Sequence, residues 1–166
     1  YGKTLEKINC QVVNVNGVAF KNFLRVIENG YFVKTAVLTD CDCGKKTQHR
    51  ASELKAEYDS NDILINITHL STFEKELFDV NKTRKANREL LLNILKSVRP
   101  QKCGQDFCDK HKKGTSFNIE ELFKCIEEYK SEFAFELANE LEEKMAVKGV
   151  GDFKKFVIPK YIEDAF

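Results

Sequence analysis

Two short apolar runs dominate the first half of the chain. Val33 to Leu38 and Ile63 to Ile67 are rich in β-branched residues, and both give way to polar ones. The first leads into Thr39-Asp40-Cys41-Asp42 and the second into Thr68-His69. Runs of this kind predict strands buried on both faces, the habit of parallel sheets. Gln11 to Val15 alternates and then meets Asn16-Gly17, which predicts another strand and a tight turn. Phe20, Phe23, Leu24 and Ile27 follow the spacing of a one-sided helix, stopped by Asn29-Gly30. A polar loop, Cys43 to Thr47, precedes helix formers from Gln48 to Tyr58. Ser71-Thr72-Phe73-Glu74 has the form of a capping box and predicts a short helix through Phe78. Strands alternating with helices over short links imply a parallel, doubly wound α/β sheet.

The second half is helical. Leu91, Ile94, Leu95 and Val98 lie on one face of a helix predicted from Asn87 to Val98, which ends before Pro100. Residues 101–118 read as a loop containing Gly104, Gly114 and the basic cluster Lys110-His111-Lys112-Lys113. A long amphipathic pattern runs from Ile119 to Met145, with Ser131 as a candidate break. Lys148 to Phe156 is rich in glycine and lysine, and Ile158-Pro159 opens a last short helix to Ala165. The expected organisation is an α/β core over 1–98, a basic cysteine-containing loop over 99–118, and a helical part over 119–166.

Composition changes this picture little. The 166 residues suit one domain with an appended part, and 27 basic against 26 acidic side chains leave net charge silent about nucleic acid. No apolar run approaches the roughly 18–20 residues of a membrane span, so a cytoplasmic protein is expected. Of the six cysteines, Cys10 and Cys125 sit in apolar or amphipathic segments where the thiol packs as a small hydrophobe. With no secretory signal, reduced thiols are expected throughout. Cys103, Cys108 and His111, with Cys41 and Cys43 elsewhere, could be assembled into a zinc site, although the spacing is that of no standard ribbon or knuckle.

The candidate chemistry lies at the end of the first apolar run. Asp40 and Asp42 are two apart, so in an extended chain both point to one side. The carboxyl ends of strands in open α/β sheets are where ligands bind. Two close carboxylates repel unless a cation sits between them, and hard oxygen ligands suit Mg²⁺ or Mn²⁺. A plainer use of the pair is to cap the turn or helix that follows.

Four ordered stretches resemble the TOPRIM nuclease domain of the OLD family of ATP-dependent endonucleases, which includes enzymes of anti-phage defence. They are Val13 to Phe20, Ala36 to Asp42, Ser71 to Leu77, and Lys130 to Ala138 followed by Val157 to Ile162. Lys96 to Glu128 lies outside the resemblance. The fold implied is a TOPRIM-like doubly wound sheet with an appended C-terminal helical part. The activity implied is cleavage of double-stranded DNA with Mg²⁺ or Mn²⁺, in a two-metal site in the complete protein. In this chain Asp40 and Asp42 match the paired metal-binding aspartates, and Thr72 and Glu74 the residues that complete the metal shell. Lys130 matches a lysine that offsets charge at the scissile phosphate. Outside the resemblance, Lys112, Lys113, Lys154 and Lys155 are candidates for DNA phosphates if their loops flank the carboxylates.

The family also has a strand and a glutamate-bearing helix ahead of the Val-x-Val-x-Gly strand, and an ATPase domain before that. The chain begins at Tyr1, close to that strand, and carries no Gly-rich nucleotide loop. The expectation is therefore a portion of a larger nuclease that forms a homo-oligomer at full length. ATP would act through the upstream ATPase domain of the same protein. Alone, this portion is expected to bind metal weakly, cut DNA slowly and associate through an uncovered sheet edge or face. Two other readings remain: a receiver-like signalling domain phosphorylated on Asp40, and a non-catalytic interaction module built on a nuclease. The receiver reading expects acids at the end of the first strand, where this sequence has Val15-Asn16-Gly17.

Overall fold

Thr35–Thr39 (β1) and Ile63–Ile67 (β2) pair in parallel, with Thr35 opposite Ile63 and Thr39 opposite Ile67. His49–Tyr58 (α2) connects them, completing a strand–helix–strand unit. The computed structural model describes residues 5–15, 20–31, 33–100, 102–146 and 156–166. The chain is a mixed α/β protein whose sheet, among the described residues, has these two strands.

Register decides which side of the sheet is covered. Val37 pairs with Ile65 and Ala36 with Leu64, so alternate pairs face opposite ways. Val37, Ile63 and Ile65 pack against Leu24 of α1 (Phe20–Glu28) and against Leu54 and Tyr58 of α2. On the other face Ala36 is exposed, and Leu38 and Leu64 are 40% and 42% exposed. The expectation of strands buried on both faces is corrected: the described residues cover one face. An unbroken apolar run carries no information about which half of it meets a partner. Within α1, Phe20, Leu24 and Ile27 join this core, whereas Phe23 is exposed.

The predicted strand at Gln11 to Val15 does not form. Val12 and Val13 are 78% and 64% exposed, and the segment has no ladder partner among the described residues. Alternation supplies propensity, but a strand is held by pairing and burial. The Asn16-Gly17 turn, like Lys148, Lys154 and Lys155, lies outside the described residues.

A second core begins at α3 (Phe73–Asn81) and continues through α4 (Lys85–Val98), α6 (Ile119–Ile126) and α7 (Lys130–Ala146). Phe78, Leu91, Leu95, Leu122, Ile126 and Phe133 are buried together there. The expected loop over 101–118 is also corrected, because Lys102–His111 forms a helix, α5. Its Phe107 and Cys108 are buried in this core, and tertiary burial overrides the local signal of Gly104. That glycine lies so close to the carbonyl of Arg99 that a Cβ would collide with it. The long amphipathic pattern breaks just before Ser131, where Tyr129 N donates to Ile126 O at 2.7 Å. The last helix, α8, is short, Lys160–Glu163.

Candidate active site

The ends of β1 and β2 are stitched together by one threonine. Thr68 N donates to Thr39 O at 3.1 Å and extends the ladder by one residue. The Thr68 hydroxyl accepts from Cys41 N at 2.9 Å and donates to Leu70 O at 2.6 Å. Asp40 is thereby held between two anchored residues at the carboxyl end of the sheet.

From there Asp40 Oδ1 accepts the Phe73 N–H, at the first turn of α3, at 2.8 Å. A helix start carries unpaired N–H groups and partial positive charge, which suits a carboxylate. Burial nevertheless pushes the Asp40 carboxyl above its ordinary value. The Phe73 hydrogen bond opposes that rise, the charges of Glu74 and Asp42 add to it, and Lys130 opposes it.

Helix α3 starts one residue later than the capping-box reading implies. Thr72 is the N-cap, and its hydroxyl accepts from Lys75 N at 3.5 Å. Glu74 is consequently the second helical residue and does not reciprocate the cap. Its Oε1 lies 3.4 Å from Lys130 Nζ, and its Oε2 is buried without a hydrogen-bond partner. Lys130, the first residue of α7, also lies over the Phe123 ring, 4.6 Å from its centroid. The buried Thr72 hydroxyl is engaged at the start of α3.

Asp42 takes a separate course. Its backbone is in the left-handed region, φ 50°, which aspartate tolerates better than most residues. Oδ1 accepts from Lys45 Nζ and Oδ2 from the Thr47 hydroxyl, both at 2.8 Å. These hydrogen bonds, that of Lys45 first, hold its carboxyl below the ordinary range. Asp40 and Asp42 both line an open cleft of about 880 Å³ with Thr47, Arg50, Phe73 and Tyr161. The strand ends at Thr39, so the extended geometry expected for the pair is not the one observed.

Several residues of the site escaped the sequence reading. Tyr161 is buried; burial, and then the charges of Asp40, Glu76 and Glu74, push its phenol well above the usual value. Glu76 is only 7% exposed. Its Oε2 accepts from His69 N at 2.8 Å and its Oε1 lies 3.0 Å from His69 Nδ1, holding the turn between β2 and α3. The signal was there in helical phase, since Glu76 occupies the inward stripe with Phe73 and Leu77. Lys112 and Lys113 are exposed in the turn after α5, in the helical half.

Two cysteine expectations change. Cys41 and Cys43 form a disulfide, so reduced thiols do not hold for this pair. Cys108 is buried in the helical core, donates to Leu92 O at 3.2 Å, and has its thiol pushed up by burial. That environment suits packing rather than a zinc thiolate.

Two carboxylates at the start of α3 form a donor set that could hold a hard cation: Asp40, docked on the Phe73 N–H, and Glu74, with a buried oxygen that has no hydrogen-bond partner. Asp42 does not complete it in this conformation, because both its oxygens are engaged. Among the described residues no group of three histidine, cysteine, aspartate or glutamate side chains is drawn up to hold a metal. No described helix is long and apolar enough to cross a membrane. No protein-family model, curated protein or solved structure matches the chain.

Proposed function

We propose that this chain is the catalytic portion of a metal-dependent DNA endonuclease of the TOPRIM type, working in a larger ATP-dependent protein. The observation that carries the reading is the docking of Asp40 on the first turn of α3, the turn that carries Glu74, whose Oε2 is buried and unpartnered and whose Oε1 lies beside Lys130. A half-buried acid whose charge is opposed by a neighbouring acid is where a divalent cation lowers the free energy. Mg²⁺ or Mn²⁺ held by Asp40 and Glu74, with Asp42 once released from Lys45 and with Thr72 close by, would polarise a phosphodiester and activate water.

The remaining roles belong to side chains already in place. Lys130, with one face on the Phe123 ring and 3.4 Å from Glu74, can turn to charge developing on a phosphoryl oxygen. Arg50 lines the cleft beside Asp42, where a guanidinium grips a backbone phosphate in a forked geometry. Lys112, Lys113, Lys154 and Lys155 are kept as candidates for phosphates of double-stranded DNA. The larger protein is read as a cytoplasmic homo-oligomer, with ATP acting through its ATPase domain and anti-phage defence as its setting.

Calorimetry with Mn²⁺ tests this directly. The parent chain is expected to bind Mn²⁺ weakly and Asp40→Asn to lose that binding by tenfold or more. Equal affinity in the two would remove Asp40 from a metal site and overturn the reading.

A further inference from the structure

Cys41 and Cys43 flank Asp42, and their sulfurs are joined in a disulfide. The bond closes a small ring through the one residue between them. Inside that ring Asp42 adopts φ 50° and turns its carboxylate to Lys45 and Thr47. The ring is also fixed from outside. Cys41 N donates to the Thr68 hydroxyl at 2.9 Å, and Cys43 N donates to Cys41 Sγ at 3.1 Å.

A reduced state has a place as well. Cys41 Sγ lies 3.3 Å from Leu70 O, within reach for a thiol to donate to that carbonyl. Without the bond, the ring constraint on Asp42 is lifted and only the turn hydrogen bond from Lys45 N and the side-chain bonds of Lys45 and Thr47 remain to hold it. It can then take the extended form in which its side chain and that of Asp40 lie on one side. The two cysteines also differ in access: Cys41 is 8% exposed, whereas Cys43 is exposed.

We propose that Cys41 and Cys43 are a redox switch on Asp42: the disulfide withholds its carboxylate from the cation site, and reduction releases it. This rests on the metal-site reading of Asp40 and Glu74. The oxidant is a small-molecule disulfide of the glutathione class. The exposed Cys43 thiolate attacks one sulfur of that disulfide, forming a mixed disulfide and expelling one small thiolate. The Cys41 thiolate then attacks the Cys43 sulfur, closing the protein disulfide and expelling the second. The two cysteine thiols are oxidised by two electrons, the small disulfide is reduced, and the two thiol protons finish on the two small thiols. Reduction runs the same exchange backwards.

The test compares the full chain after treatment with glutathione disulfide and after reduction by a phosphine, both desalted. Peptide mapping by mass spectrometry reads the linkage, and calorimetry reads Mn²⁺ affinity. The expected result is a Cys41–Cys43 linked peptide in the oxidised sample only, with Mn²⁺ bound at least tenfold more weakly than in the reduced one. Cys43→Ser, at an exposed position, should bind Mn²⁺ like the reduced parent under both treatments. Failure of the linked peptide to form, or equal measurable affinity in both states, overturns the switch and leaves the metal reading standing. A Cys43→Ser variant that still responds to oxidant also overturns it. Absence of Mn²⁺ binding even in the reduced chain overturns the metal reading and the switch with it.

Discussion

The side chain of Asn81 clamps the backbone of Val157 from both sides: its Nδ2 donates to Val157 O and its Oδ1 accepts from Val157 N, each at 2.9 Å. The same amide also donates to Leu77 O at 2.9 Å and accepts from Asn87 Nδ2 at 2.7 Å. Asn81 is fully buried at the end of α3, and Val157 is half-buried against it. The clamp fixes the segment that leads through Pro159 to Tyr161, and so sets one wall of the cleft next to Asp40.

Truncating Asn81 should therefore be severe. Asn81→Ala leaves the Val157 N–H and O without their partner, and each buried polar group left unmet costs about 1–3 kcal/mol. We expect destabilisation by about 3 kcal/mol in urea unfolding. A changed near-ultraviolet tyrosine signal should accompany it, clean because the chain has no tryptophan. A change below about 0.5 kcal/mol, typical of surface substitutions, would show that the clamp does not hold the C-terminal segment.

The two aspartates should respond to pH with opposite signs. Asp40 has a raised carboxyl in the folded protein, chiefly through burial, so its ionised form opposes folding. That opposition is fully present above the folded-state value and relieved as pH falls through it toward the ordinary 3.8. Asp40→Asn keeps an oxygen for the Phe73 N–H, so it should raise Tm at neutral pH, with the gain fading in acid. Asp42 has a lowered carboxyl through Lys45 and Thr47, so its stabilisation is present above 3.8 and lost as pH falls below it. Asp42→Asn should accordingly lower Tm at neutral pH, by a modest amount because the Lys45 pair is open to solvent. Thermal melts of both variants from roughly pH 2 to 8, which spans titration of both a lowered and a raised carboxylate, check this. Shifts of the same sign at neutral pH would contradict the assigned environments.

Lysines in different places should fail in different ways. On the proposed nuclease reading, Lys130→Ala should lower the cleavage rate by about a hundredfold with DNA affinity nearly intact, because the lysine would act on transition-state charge. Its effect on stability should stay within about 1 kcal/mol, since its ion pair with Glu74 is partly exposed. Changing Lys112 and Lys113 to alanine should do the reverse. It should weaken binding and flatten its salt dependence by about one counterion for each phosphate no longer neutralised. Single-turnover cleavage alongside binding titrations in graded salt separates the cases. Should Lys130→Ala reduce affinity and spare the rate, its place at the reacting phosphate would be wrong.

What the sequence determined by itself is local. The helix carrying Leu91, Ile94 and Leu95 was legible because spacing within one turn repeats every few residues, and all three are buried in the helical core. β1 and β2 were legible as β-branched runs, and Asp40 as an acid just past the end of one. Tertiary structure decided the rest. Whether both faces of the sheet are covered depends on which elements pack there, and nothing within Val33 to Leu38 encodes that. The strand expected at Gln11 to Val15 needed a pairing partner that its own residues could not supply. The stretch holding Gly104 became helical because Phe107 and Cys108 found a core to enter. Asp42 left the extended geometry expected for the pair because its backbone turns at φ 50° and Lys45 and Thr47 hold its carboxylate. Asn81 and Tyr161 gained their roles from segments distant in the chain. Periodicity is set by backbone geometry over a few residues, whereas the pairing of buried polar groups across elements exists only once the chain has folded.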